Sequence, residues 1–246
     1  MKKKIKNLLS YSPYNLYETV RNKMNQAKKN KKEISKINFY LENNEIKKIQ
    51  IGCGTNFLEG WLNTDIKNND KIIYLDAGEK FPLESDSFDF VYSEHLFEHL
   101  KTGQQLNMLT ESFRILKKGG VMRIATPNIS FLFRLFENPN TPEMIDYVNW
   151  AVKNIPHLFE ANNMVVDQEE HYVYVINNFF KAWGHQVIHN ISSLSKLALQ
   201  CNFAQVRECT VGESNVLDLK NIERHGTIIP ERINFLETMV VELVKL

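Results

Sequence analysis

The chain has 246 residues, 43% of them hydrophobic and 24% charged, with a formal net charge of +1. This composition supports a sizeable core, and no apolar run approaches the ~20 residues of a membrane-spanning helix. Three cysteines, an odd number with no CxxC spacing, exclude a disulfide framework or a zinc knuckle and read as buried structural thiols.

The charge is unevenly placed. Residues 1–33 carry ten Lys/Arg against two Glu, and the remainder carries 20 basic against 27 acidic residues. In this basic arm (1–36) Ile5, Leu8, Leu9, Leu16, Tyr17 and Val20 interleave with the charges, and Pro13 suits a first helical turn. The pattern predicts an amphipathic helix that touches an anionic membrane surface, or else a solvated helix packed on the main domain. The apolar centre around Leu8 and Leu9 is too short for a signal-peptide core. The expected location is therefore cytoplasmic, at the inner face of the membrane if the arm takes the first of these roles.

Strand and helix signals then alternate. KKIQI (47–51), WLNTD (61–65), KIIYL (71–75), FDFVY (88–92) and VMRIAT (121–126) are short and rich in β-branched or aromatic residues. Between the last two, Leu106, Leu109, Phe113 and Leu116 recur at helical spacing, with Thr102 as cap and Gly119 as stop. Helical patterns fill 129–182, and another runs through 191–203, capped by Ser192 or Ser193. AQVRECTV (204–211) and TMVVELVKL (238–246) close the chain as strands. This alternation predicts an α/β fold: a mostly parallel sheet with helices on both faces, ligands binding outside the carboxyl ends of the strands. The expected organisation is one domain over 37–246, carrying a helical insertion at 129–182. More than fifty residues exceed an ordinary connection, so this insertion is expected to cap the strand ends, its aromatics serving an acceptor pocket or a small core of their own.

The first strand runs into IGCGTNF. No Gly-Lys-Ser/Thr follows Gly54, so the loop is not a P-loop. Phe57 stands where a dinucleotide fingerprint needs its third glycine, and Asp65 arrives too early for that pattern. The N–H groups of Gly52, Cys53 and Gly54 are expected to form a nest for an amino-acid end group. Asp65 is expected to accept two ribose hydroxyls, and Asp76 an adenine amino group.

Taken with GWLNTDI, YLDAGEKFPLESDSFDFVYSEHLFEHL, LKKGGVMRIATPN and WGHQVIHN, this segment resembles a class I S-adenosylmethionine-dependent methyltransferase, over about 47–211. It looks closest to small bacterial enzymes associated with surface-polysaccharide synthesis. The resemblance implies a Rossmann-like seven-stranded sheet and S-adenosylmethionine as cofactor, with no metal. It also implies cofactor contacts from Gly52, Cys53, Gly54, Asp65, Asp76 and Ala77, with the Ser93–Glu94 turn beside them. The implied reaction is methyl transfer to an oxygen of a glycan or other small acceptor. Three positions depart from the family pattern: Asn56, where relatives have glycine, and Asn128 and Asn190, where aspartate is common.

Two histidines are candidate bases. His185 follows Gly184 in a segment where the family carries a similar histidine, and His95 follows the fourth strand; His185 is favoured. Three other readings use the same residues. One is a catalytically inactive S-adenosylmethionine-binding protein. Another is a zinc peptidase through His95-x-x-Glu98-His99, against which Glu98 and His99 read as a pair that fixes a helix to the sheet. Methylation of nucleic acid is the third, and no aromatic-basic recognition motif supports it.

Overall fold

In the computed structural model, residues 33–67, 69–155, 158 and 167–246 are described. The chain divides into two compact units, 1–45 and 46–246. Of the first, helix α1 (33–43) is described; the amphipathic pattern of the basic arm falls on residues 1–32, outside the described residues. Among the described residues no helix is long and apolar enough to cross a membrane.

The second unit is built on seven strands: β1 (Lys48–Ile51), β2 (Leu62–Asp65), β3 (Ile73–Tyr74), β4 (Phe88–Glu94), β5 (Leu116–Pro127), β6 (Gln205–Cys209) and β7 (Thr238–Val244). Their order is β3-β2-β1-β4-β5-β7-β6, with β7 antiparallel to both neighbours and the other neighbouring pairs parallel. The order of the strands reverses between β1 and β4, which opens a crevice at their carboxyl ends. The last strand lies inside the sheet. TMVVELV buries side chains on both faces, as a central strand must.

Helices α2 (Thr102–Ile115), α3 (Ile129–Glu137), α4 (Pro142–Asn154), α5 (His171–Lys181), α6 (Ile191–Gln200) and α7 (Glu231–Glu237) complete the unit. The links between β1 and β4 contain no helix among the described residues. The β1–β2 loop is held instead by Asn63, whose side chain bonds the Leu58 N–H and the Leu58 and Trp61 carbonyls.

Several helix boundaries differ from the sequence expectation. Thr102 is the first helical residue of α2, and Gln104 accepts from the Lys101 N–H. Gly119 does not stop that helix: it lies in β5 at φ +81° and donates to the Lys245 carbonyl. The buried stripe of α2 runs through Gln105, Met108, Leu109, Ser112 and Ile115, leaving Leu106 and Phe113 at its edge. Neither Ser192 nor Ser193 is the cap of α6. Asn190 is, accepting from Ser193 N–H, while the Ser193 hydroxyl accepts in return from Asn190 N–H. Asn128 likewise caps α3 by accepting from Ser130 N–H. Asn128 and Asn190, the two departures from the aspartates that the resemblance implies, thus stand where asparagine caps a helix as well as aspartate does.

Phe131, Tyr147 and Phe179 pack in one buried cluster with Leu132, Leu135, Val148 and Ile233. Phe133, Phe136 and Phe180 remain largely exposed. So α3 to α5 carry a small core of their own, and only part of their aromatic set turns elsewhere.

Buried His189 ties α6 to α2: its Nε2 lies 3.1 Å from Gln105 Oε1, and its Nδ1 lies 2.9 Å from Ser193 Oγ. Burial lowers its pKa, so the folded state prefers neutral imidazole. An imidazole with a depressed folded pKa contributes stability in full above its unfolded value, ~6.5, and loses it as pH falls toward the folded value. Thermal melts of wild type and His189→Gln should therefore diverge in slope below about pH 6.5, the wild type losing stability faster on acidification. Parallel profiles would show that His189 does not titrate with folding.

Candidate functional site

The carboxyl edge of the sheet gathers the residues singled out in the sequence. Gly52 and Gly54 follow β1 with φ +73° and +53°. Gly52 sits against Leu96, whose Cδ2 would lie 2.6 Å from an added Cβ, whereas a Cβ on Gly54 would meet open space. Positive φ and this close approach explain the glycines. The expected nest does not form, because its donors are already used. Gly52 and Cys53 N–H both donate to the Thr64 carbonyl, at 2.9 and 3.0 Å, and Gly54 N–H donates to Asp65 Oδ2. Cys53 is buried, and burial together with the Asp65 charge pushes its thiol up to about 11, so no nucleophile is present there.

Asp65 ends β2 half-buried, its second oxygen accepting from Lys67 N–H. Asp76 lies just after β3; its Oδ1 accepts from Gly78 N–H, and Ala77 beside it is buried. Ser93 and Glu94 are not a turn but the last residues of β4. The Ser93 side chain is fully buried, and its Oγ has no hydrogen-bond partner among the described residues. The Glu94 carboxylate is taken up in holding the 224–225 turn, accepting from Arg224 N–H and from His225 N–H at 2.8 Å.

The chain turns sharply after β4 because His95 takes φ +47°. A short 3-10 turn, Phe97–His99, follows. His95, Glu98 and His99 therefore do not lie on a common helix, and the zinc-peptidase arrangement expected of His-x-x-Glu-His is absent. Glu98 is instead the buried centre of a polar cluster. His95 Nδ1 lies 3.0 Å from its Oε1, Thr126 Oγ1 donates to its Oε2 at 3.0 Å, and His99 Nε2 lies 3.9 Å from its Oε1. Burial opposes the charges of both Glu98 and His95. The hydrogen bond between them and the neighbouring charges together outweigh it, so the Glu98 pKa is lowered and the His95 pKa is raised.

His185 reaches this cluster through the backbone. Gln186 and Val187 N–H both donate to the Glu98 carbonyl, at 2.7 and 3.2 Å, and Gly184 supplies a tight turn at φ +81°. His185 Nδ1 lies 2.6 Å from the Phe179 carbonyl, so Nδ1–H is the donor and Nε2 keeps its lone pair. Its pKa is lowered, first by burial, which keeps the ring neutral. His95 differs: its Nδ1 is taken by Glu98, its Nε2 is buried without a partner among the described residues, and its ring lies 3.9 Å from that of His225.

These groups face a cavity of about 670 Å³ beyond the ends of β4 and β5. His95, Glu98, His99 and His185 are in its lining, and Tyr147, Trp150, Phe179 and Trp183 supply aromatic surface. His225 and Glu237 close it, joined at 3.3 Å, and the Tyr147 hydroxyl donates to Glu237. Burial and the Glu237 charge raise the Tyr147 pKa well above normal, so it remains a donor. Tyr147 and Trp150 are among the insertion aromatics expected at an acceptor pocket, whereas sequence reasoning missed His225 and Glu237, which no spacing in the chain links.

A switch-point sheet with a glycine turn after β1 and acids ending β2 and following β3 defines a nucleotide-cofactor-binding α/β enzyme. Residues 61–124 match the family model described as a methyltransferase domain. The chain carries a class I S-adenosylmethionine-dependent methyltransferase domain. No curated protein matches it. Among solved structures it is similar to an S-adenosylmethionine-dependent methyltransferase from Archaeoglobus fulgidus, with 17% identity over 88% of this chain and 94% of that one and a TM-score of 0.48. A second, from Mesorhizobium loti, shares 16% identity over 80% of this chain and 90% of that one, with a TM-score of 0.45.

The donor set fits the cofactor. Asp65 and Asp76 offer carboxylate oxygens at the ends of neighbouring strands, suited to ribose hydroxyls and an adenine amino group. The space beside Gly54 lets a ligand approach the backbone closely.

Proposed function

We propose that this chain transfers the methyl group of S-adenosylmethionine to a hydroxyl oxygen of a glycan or another small acceptor, held in the cavity beside His185. The observation that carries this reading is the His185 ring, which lines the cavity and is anchored through Nδ1–H on the Phe179 carbonyl, so that its Nε2 keeps a lone pair. A hydroxyl acceptor needs such a lone pair near its proton. The two cavity carboxylates are already satisfied, Glu98 by His95 and Thr126, and Glu237 by Tyr147 and His225. These bonds hold both carboxylates in place at the edge of the cavity. The rings of Trp150 and Trp183 support a sugar, whose apolar face stacks on aromatic surface. A glycan of the kind used in surface-polysaccharide synthesis belongs to this proposal.

Bound S-adenosylmethionine supplies a methyl group already activated on a sulfonium. The tasks left to the chain are to bind, orient and exclude water. Asp65 and Asp76, with the loop at Gly52, Cys53 and Gly54 and Ala77 alongside, hold the cofactor in this reading. The aromatic lining orients the acceptor, and His185 activates its oxygen. Alignment of this kind supplies about 7–11 kcal/mol in favourable cases.

Calorimetric titration with S-adenosylmethionine or S-adenosylhomocysteine tests the cofactor assignment. Asp65→Ala should weaken binding at least about tenfold, because each hydrogen bond to a charged group contributes about 1.5–3 kcal/mol. Binding of NAD with no binding of S-adenosylmethionine would overturn it.

A further inference from the structure

We propose that Glu98, His99 and His185 form a binding site for a divalent metal ion that faces the acceptor cavity. This inference rests on the reading of that cavity as the acceptor site. One ligand atom from each of the three side chains lies within 4.8 Å of the other two. An ion with ~2.1 Å bonds needs its ligands about 3–3.5 Å apart, so side-chain adjustments of roughly an ångström complete the set.

The three side chains are prepared for ligation in different ways. His185 donates its Nδ1–H to the Phe179 carbonyl, the support that fixes the tautomer of a metal-binding imidazole and leaves Nε2 for the ion. Glu98 is fully buried, and Thr126 and His95 hold its carboxylate in place. These are the outer hydrogen bonds that ligating carboxylates carry. His99 points Nε2 toward Glu98 Oε1 at 3.9 Å and is partly open to solvent, so the ion has a path in. Backbone bonds from Gln186 and Val187 to the Glu98 carbonyl hold the His185 segment against the Phe97–His99 turn. His95 stays outside the set, because its Nδ1 is bonded to the carboxylate and its Nε2 is buried.

Two imidazoles and one carboxylate suit Zn²⁺, Co²⁺, Fe²⁺ or Mn²⁺ better than Mg²⁺ or Ca²⁺, which favour oxygen ligands. Three protein ligands leave positions open on the cavity side, where a hydroxyl oxygen can complete the shell. With an ion bound, the His185 lone pair is a ligand, and the ion would lower the pKa of a coordinated hydroxyl, whose proton would pass to solvent water before the oxygen takes the methyl group from sulfur. The same lone pair thus serves the acceptor oxygen through the metal.

The test uses the full chain, stripped with chelator and then titrated separately with ZnCl₂ and CoCl₂. Calorimetry follows both titrations, and visible absorption follows the cobalt. The expected result is one equivalent bound, with cobalt ligand-field bands, and affinity weakened at least about tenfold in both His99→Ala and His185→Gln. Titration with S-adenosylhomocysteine on each protein reports folding and the cofactor site independently. Cofactor binding without stoichiometric metal binding, or metal binding unchanged in a His99→Ala/His185→Gln double variant, sinks the metal site alone. Metal binding without cofactor binding would leave the metal site standing and remove the methyltransferase reading.

Discussion

Replacing His185 with alanine should lower kcat by about 100-fold or more and leave the affinity for S-adenosylhomocysteine nearly unchanged. His185 lines the acceptor cavity, whereas the residues assigned to the cofactor, Gly52 to Gly54, Asp65 and Asp76, are not among its lining. The loss should therefore appear in turnover and not in cofactor binding. A purely structural role predicts another pattern: a lower melting temperature, with the surviving folded enzyme turning over at full rate. His95→Ala makes the informative comparison. It strips buried Glu98 of its imidazole partner, so its first effect should be on stability. A full-rate His185→Ala enzyme beside a slow but stably folded His95→Ala enzyme would move the activating role to His95.

Much of the sheet was legible because its strands are short β-branched runs separated by polar turns. The runs at 47–51, 61–65 and 88–92 became β1, β2 and β4 with small shifts at their ends. Asp65 and Asp76 were legible as well, since strand-end position follows directly from the strands. Element ends were harder. The stop expected at Gly119 failed because Ile115 is followed at once by Leu116, which pairs with Phe88 as β5 begins. The nest at Gly52 to Gly54 was not legible as closed, because its N–H groups are satisfied from β2. That partner emerges only when the two strands are set side by side. The cavity shows the same limit more strongly. His95, His185, His225 and Glu237 come from separate segments, and only the packed sheet and helices bring them together.

Arg123 was also invisible in the sequence, where it looks like one polar residue in the run VMRIAT. It is fully buried in β5. Its Nε donates to Glu223 at 2.6 Å, and its Nη1 to Glu242 at 2.8 Å and to the Glu213 carbonyl at 2.9 Å. Glu242 is its direct cross-strand neighbour on β7, and Glu223 immediately precedes the turn held by Glu94. Burial disfavours the guanidinium charge, but Glu223 and Glu242 more than compensate, so its pKa is raised. Both carboxylates are also buried, so removing the cation leaves two uncompensated negative charges. Breaking a buried pair in this way costs about 3–5 kcal/mol, a large part of the ~5–15 kcal/mol by which a domain is stable. Arg123→Leu should therefore lower the urea midpoint sharply, with little change in the slope of the transition. Combining it with Glu223→Gln and Glu242→Gln removes the orphaned charges and should recover much of the loss. If the triple variant is as unstable as Arg123→Leu alone, the cost arises from packing in β5, and the charge account is wrong.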